Sequence, residues 1–327
     1  MSTAIQMGLF AEPASPPPPD SPDPSSNSPR DLGPKARLCV LGSGSGGNCT
    51  VIQSGSRAIL VDAGFTPATT TRRLRAARLD IGAIGALCLT HLDQDHFRPS
   101  WINILLERRI RLMLHRWHAD RLAAVPRIRH LQRKGLIQLL DHEPFCPIEG
   151  IRATTVPLPH DQRGTTGYHF ETAAGAIGYA TDLGTVPTAL IEKFTGVDLL
   201  AIESNYDPQM QRNSSRPEFL KRRVMGRHGH LSNAQAFEAV RRIADRATRP
   251  PRHIVLLHRS GDCNCPRLLQ QVFDQDDRIG PRVVLTHQSR PSRWLTVGPL
   301  RVGDLLGPKT AQEAVSQLQL GFAGACP

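Results

Sequence analysis

The chain of 327 residues contains no apolar run approaching the roughly 18 residues that a membrane-crossing helix needs. Its first residues lack a basic start, an apolar core and a small-residue cleavage site, so no secretory signal and a cytoplasmic location are expected. Cysteine is sparse and odd in number: Cys39, Cys49, Cys88, Cys146, Cys263, Cys265 and Cys326 are scattered, often inside apolar runs, which suits reduced thiols better than a disulfide framework. Aromatic residues make up only 5%, which argues against extensive stacking on bases. There is no fixed-period repeat. Acidic residues are outnumbered, 29 against 40 Lys+Arg, for a net charge of +11.

That charge is unevenly placed. Residues 1–34 hold Glu12, Asp20, Asp23 and Asp31 against Arg30, a net of −3, so the remainder carries +14. A basic body favours polyanions, nucleic acid or acidic lipid. Residues 11–34 form a Pro/Ser/Asp tract that cannot bury enough apolar surface to offset its ordering entropy, so 1–34 is expected to be a disordered arm. From 37 onward, short apolar strands alternate with helical stretches. Strands are predicted at 37–42, 49–53, 57–62, 86–90, 111–114, 136–140, 151–156, 167–171, 175–180, 198–203 and 253–258, with short ones near 283 and 295. Helices are predicted at 67–79, 99–109, 116–124, 187–194, 215–224, 232–246 and 265–276. Early neighbouring strands imply antiparallel pairing and the later alternation implies parallel crossovers, hence one layered α/β domain over 35–327 with mixed sheets.

Gly42, Gly44 and Gly47 match G-x-G-x-x-G, but Asn48 leads into the β-branched CTVIQ rather than a helix. No Gly-Lys-Ser/Thr follows, so a P-loop is excluded. The loop reads as a tight strand-to-strand turn, with Ser43 and Ser45 still placed to meet a passing phosphate. The chemistry concentrates in ALCLTHLDQDHF, residues 86–97, where His91, Asp93, Asp95 and His96 crowd the loop beyond an apolar strand. Asp93 and Asp95 repel each other, and a cation between them removes that penalty. His160, Asp182 and His258 recur at later strand ends, where open sheets place their sites.

With these residues in view, the chain resembles the metallo-β-lactamase superfamily, whose mark is His-x-His-x-Asp-His with a later His, Asp and His. GSGSGGNCT, ILVDAG, LTHLDQDH, LPHD, YATDLG, ESNYD, GHLSN and LLHRS carry the likeness over about 37–296. ESN with GHLSN is similar to the YycJ/WalJ-like branch, regarded as 5′-to-3′ DNA exonucleases. The resemblance implies an αββα sandwich and two divalent cations, Mn(II) or Zn(II). It also implies a ligand set: His91, Asp93 and His160 on one cation, Asp95, His96 and His258 on the other, and Asp182 between them. A hydroxide held between two such cations is a nucleophile near neutral pH. Asp93 stands where the superfamily usually has histidine, and as a harder ligand it tilts selectivity toward Mn(II). Tyr206 likewise stands where histidine is expected.

Within the matched motifs, His230 precedes Ser232, which with Gln235 forms a capping-box start. His230 is the expected catalytic group, protonating the leaving oxygen or binding phosphate beside Asp182, with His228 as its rival. Asn205, Ser232, Arg222 and Arg223 join Ser43 and Ser45 as candidate phosphate contacts, the arginines belonging to a basic stretch that includes Arg212, Arg216, Lys221 and Arg227. Cys263 and Cys265 read as buried thiols. At the other end, Gln6, Leu9 and Phe10 resemble the Gln-x-x-Leu-Phe peptides that dock on bacterial sliding clamps. The expectation is a metal-dependent phosphodiesterase, most simply a DNA exonuclease with a repair or replication role and no membrane partner. A small-molecule hydrolase on the same fold and a catalytically impaired nucleic-acid-binding module remain as alternatives.

Overall fold

The computed structural model describes residues 36–298. The expected arm over 1–34 and the peptide at Gln6, Leu9 and Phe10 lie outside them. The first sheet is built from β1 (Ala36–Gly42), β2 (Cys49–Ser54), β3 (Arg57–Val61), β4 (Ile84–Cys88), β5 (Arg111–His115) and β6 (Ile137–Leu140). The second is built from β7 (Phe145–Ile148), β8 (Ile151–Leu158), β9 (Thr165–Thr172), β10 (Gly175–Ala180), β11 (Leu199–Glu203), β12 (His253–Leu257) and β13 (Val283–Leu285), after which β14 (Leu295–Thr296) returns to the first. The helices are α1 (Pro67–Ala76), α2 (Trp101–Glu107), α3 (Ala119–Ala123), α4 (Ile128–Arg133), α5 (Thr188–Phe194), α6 (Pro208–Asn213), α7 (Glu218–Met225), α8 (Asn233–Arg246) and α9 (Pro266–Phe273).

Each sheet has seven strands, in the orders β14-β1-β2-β3-β4-β5-β6 and β13-β12-β11-β10-β9-β8-β7. In both, strands that are consecutive in sequence pair antiparallel first and then give way to a parallel run: β3 to β6 in one, β10 to β13 in the other. The strands read as near-continuous apolar runs because both faces are covered. In β1, Leu38 and Val40 join the layer between the sheets, while Cys39 and Leu41 point toward the helices. Tyr168, Phe170 and Tyr179 fill the same inter-sheet layer from the other side. Leu190, Phe194, Val240 and Phe273 pack helices against the outer face of the second sheet. The result is the expected αββα sandwich.

Three elements depart from the sequence expectation. β7 carries Pro147 and pairs irregularly at the sheet edge, which is where proline is tolerated. α4 buries only Ile128 and Leu131, too short a stripe to show periodicity. α6 starts at Pro208 behind an Asp207 cap, and the helix expected near 215–224 begins at Glu218. The glycine loop is the strand-to-strand turn expected, joining β1 to β2 with Gly44 and Gly47 at φ of 142° and 146°. Cys39, Cys49, Cys88, Cys146 and Cys263 are free thiols. Among the described residues no helix is long and apolar enough to cross a membrane.

Candidate metal centre

Parallel strands of both sheets end at one edge of the sandwich, and the ionisable residues that follow them meet there. β4 runs into the loop of His91, Asp93, Asp95 and His96, β10 into Asp182, β11 ends on Glu203, and β12 runs into His258. Asp62, Asp161, Asp182 and His258 all have left-handed backbones, with φ between 40° and 63°. Such conformations cost about 1–3 kcal/mol each and persist where the surroundings over-determine them. Gly64 lets the ligand loop lie against the β3 end: a Cβ there would sit 1.8 Å from the Asp95 carbonyl oxygen.

Donor atoms fall into groups within 4.8 Å of one another: His91, Asp93 and His160; Asp95, His96 and His258; His91, His96 and Asp182; and Asp182, Glu203, His230 and His258. The ring nitrogens facing inward follow from what their other nitrogens do. His96 Nδ1 donates to Asp62 Oδ2 at 2.8 Å, which leaves the lone pair of Nε2 facing Asp182 Oδ2 at 2.5 Å. His160 Nδ1 donates to the Gly229 carbonyl at 2.9 Å, leaving its Nε2 free. His91 Nδ1 lies 2.9 Å from the Thr90 hydroxyl, which reaches both Asp62 oxygens at 3.0 Å. Both oxygens of the buried Asp182 lack a hydrogen bond of proper geometry. A lone pair confronting an unsatisfied buried carboxylate is repulsive until a cation or a proton lies between them, so the residues present fit divalent cations. The mixed N/O donor set suits first-row divalent ions.

The electrostatics are those of a site awaiting positive charge. Burial opposes ionisation of Asp182, but the imidazoles of His258 and His96 hold its pKa well below the carboxylate range. Burial disfavours the imidazolium of His96, yet the carboxylates of Asp182 and Asp62 hold its pKa well above the usual value. His91 is pushed well down by burial and by its neighbour His96. Burial also works against charge on His258 and His230. Asp182 and Asp95 nonetheless raise the first to about 9, and Glu203 and Asp182 raise the second to about 10. His230 Nδ1 lies 2.7 Å from Glu203 Oε1, and its ring packs 5.1 Å from those of His160 and His258.

The structure separates the remaining candidates by what their side chains already do. Ser43, buried, donates to Asn48 Oδ1 at 2.8 Å and accepts from the His258 backbone N–H at 2.8 Å. Asn205 Nδ2 donates to the His258 carbonyl at 2.7 Å. Ser232 closes the capping box of α8 with Gln235. These three side chains are already engaged in holding the frame of the site. Ser45 and Arg222 are exposed, and His228 is exposed on the outside of the turn that buries Gly229. Arg223 pairs with Asp161, its Nη2 at 2.6 Å from Oδ2, and Arg121 reaches Asp93 Oδ1 at 2.9 Å. Both arginines, with Arg163, line a cleft of about 600 Å³ that opens from His91, Asp93 and His160. Tyr206 is buried beneath α7 with Val224 and Cys263 and bridges to Ser232. Asp62, Glu203 and Asn48 had gone unassigned. Asp62 and Glu203 share the signal that flagged His258, an ionisable residue just past or closing an apolar strand.

The comparisons with known proteins agree with this geometry. A beta-lactamase superfamily domain model matches residues 57–258. The chain is 28% identical over 242 residues to exodeoxyribonuclease YycJ of Bacillus anthracis, covering 72% of this chain and 87% of that protein. It is 25% identical over 236 residues to exodeoxyribonuclease WalJ of Streptococcus pneumoniae serotype 2, covering 71% and 84%. The crystal structure of a diphosphatase from the PhnP family superposes with a TM-score of 0.56 at 18% identity, covering 81% of this chain and 99% of that one. A match over more than half of the chain, on a fold whose strand ends gather the His and Asp residues above, makes it a member of the metallo-β-lactamase superfamily, similar to YycJ and WalJ, and a metal-dependent hydrolase.

Proposed function

We propose that the chain is a cytoplasmic DNA exonuclease that removes nucleotides in the 5′-to-3′ direction, with a role in repair or replication. The observation that carries this reading is the pair of ligand groups joined through Asp182 and opening on a cleft lined by Arg121, Arg163 and Arg223. The names of its relatives, exodeoxyribonucleases in two bacteria, support the same substrate. His91, Asp93 and His160 would hold one divalent cation, Asp95, His96 and His258 the other, and Asp182 both. Bound there, Mn(II) or Zn(II) supplies Lewis acidity to the attacking water and to the phosphoryl oxygens.

The chain's own groups do the rest. His230 is held by Glu203 through Nδ1, which leaves Nε2 to carry a proton toward the leaving oxygen. Glu203 also accepts from the backbone N–H groups of Leu183 and Leu231 at 3.0 and 3.2 Å, so its carboxylate cannot swing away. Asp182 Oδ1 lies 3.4 Å from His230 Nδ1, and against the effect of burial it joins Glu203 in raising the imidazole pKa to about 10. Arg121, Arg163 and Arg223 neutralise backbone phosphates along the cleft without reading sequence.

The test is degradation of 5′-labelled and 3′-labelled linear duplex with Mn(II), Mg(II) or Zn(II), beside Asp182→Ala. Release from the 5′ end, abolished in the variant, is the expected result. No release with any metal overturns the reading. The salt response separates a polyanion from a small substrate: three phosphate contacts predict log affinity falling with log salt at a slope of about −3, against a flat response for a small phosphodiester. Docking of Gln6, Leu9 and Phe10 on a sliding clamp is a separate proposal. Unchanged clamp binding on deletion of residues 1–15 would remove it.

A further inference from the structure

Among the described residues only two large apolar side chains are exposed, Leu139 at 43% and Phe219 at 69%. Phe219 stands on α7, whose inner face, Val224 with Leu220 and Met225, packs on Tyr206 and Cys263. At 100° per residue, Phe219 falls at the middle of the outer face, with Arg222 and Arg223 flanking it at i+3 and i+4. An isolated exposed phenylalanine needs no explanation. One centred between two arginines, on a helix anchored at the mouth of a metal site, is a different arrangement.

The anchoring is specific. Arg223 forks onto Asp161, the residue after His160, through Nε at 3.2 Å and Nη2 at 2.6 Å. The C-terminal end of α7 is tied to the catalytic turn by the His230 N–H on the Val224 carbonyl at 2.8 Å. Gly229 makes that closeness possible, since a Cβ there would lie 2.2 Å from the Arg223 and Val224 carbonyl oxygens. Of the cations on this face, Arg223 is paired with Asp161, and the neighbouring Lys221 with Glu218 and the Arg212 carbonyl. Arg222 makes no ion pair with any described residue, and it borders a depression of about 510 Å³ with Arg212 and Lys221. Phe219 therefore sits about one helical turn, roughly 5–6 Å, beyond the arginine that lines the cleft.

Resting on the nuclease reading above, we propose that Phe219 is a stacking platform for an unpaired base at the end of the strand being digested. Arg222 and Arg223 would hold the phosphates on either side. A π-face flanked by two guanidinium groups is the composition used for single-stranded nucleic acid, sequence-tolerant because every base can stack. The low aromatic content excludes a row of such platforms, and a single one suffices for an enzyme that needs only the last base pair opened.

The experiment uses the full chain with Mn(II) and a blunt duplex carrying 2-aminopurine as the terminal base of the 5′ strand. Phe219→Ala is expected to weaken binding by about tenfold, the size of one lost stacking contact. It should abolish the fluorescence change at the terminal base and slow duplex degradation more than single-strand degradation. Phe219→Trp is expected to restore all three. Because the side chain is exposed, the unfolding midpoint of Phe219→Ala should match the unmodified chain, so a folding defect is not mistaken for a binding one. If the unmodified chain degrades the duplex and Phe219→Ala does so equally, with the same fluorescence change, the platform is overturned while the nuclease reading stands. If the unmodified chain neither binds nor degrades DNA, both fall.

Discussion

The two ligand groups proposed to share Asp182 are held in different ways. The inner one is anchored by its histidines: His96 has no exposed surface and is backed by the fully buried Asp62, His258 is braced by Asn205 and Ser43, and Asp95, its side chain 26% exposed, lies beside those two rings and pairs with no arginine among the described residues. The outer one, His91, Asp93 and His160, opens on the cleft. Its two histidines are buttressed by Thr90 and the Gly229 carbonyl, but the Asp93 side chain is 32% exposed and already paired with Arg121. A ligand whose partners are fixed before the cation arrives costs little to organise, and one that must leave an arginine costs more. The inner group should therefore bind its cation tightly and the outer one exchangeably.

The largest effect should come from the residue common to both groups. Asp182→Ala is expected to lower degradation at least about 1000-fold, since it removes charge from both cations at once. Metal analysis of the purified variant should show the content falling at both positions. Loss of one cation alone would mean Asp182 belongs to one group only.

Asp62 comes next. It touches no substrate, yet it orients His96 directly and His91 through Thr90, so Asp62→Asn should weaken the tighter cation by about 10- to 100-fold in chelator competition. If Asp62→Asn left that affinity unchanged while Asp93→Ala lowered it, the assignment of inner as tight would be reversed.

A third effect concerns stability. His118 precedes α3, which carries Arg121. It is fully buried with neither ring nitrogen hydrogen-bonded, and burial with the nearby charge of Arg121 lowers its pKa to about 4. A histidine depressed in the folded state leaves stability intact above its unfolded pKa of about 6.5, and stability is lost as pH falls toward 4, because the unfolded chain binds the extra proton. Urea unfolding should show a loss of about 1–3 kcal/mol across that window from this residue. His118→Gln should flatten the slope, and an unchanged slope would show that His118 takes up its proton as readily in the folded chain as in the unfolded one.

The smallest effect is at Arg121. Freeing Asp93 by Arg121→Ala should tighten the weaker cation by up to about fivefold, the range of an exposed ion pair. A weakened outer cation would show that Arg121 positions Asp93 rather than competing for it.

Much of this centre was legible before any coordinates. His91, Asp93, Asp95 and His96 stand out because four potential ligands follow one apolar strand, and His160, Asp182 and His258 because they recur at strand ends. The buttresses were harder to read. Asp62 lies 34 residues from His96, and Glu203 27 residues from His230. Nothing local distinguishes a carboxylate that closes a strand to brace a histidine from one that merely meets solvent. The engagement of Ser43, Asn205 and Ser232 was not legible, because a sequence shows a polar side chain but not the partner it already has. β7 and α4 were missed for a related reason: an edge strand with proline and a helix with two buried residues carry too little periodicity to be seen.

What the amino-acid order determined by itself is the alternation of strands and helices, the double-sided burial of those strands, and the supply of His and Asp at their ends. These follow from local patterns in which each residue's neighbours in sequence are also its neighbours in space. Only the tertiary structure decided that Asp62 stands behind His96, that Glu203 grips His230, that Arg121 holds Asp93, and that Phe219 faces outward between two arginines. Those contacts join segments brought together by sheet packing and helix docking, and their energies depend on angstrom distances and burial that no spacing along the chain encodes.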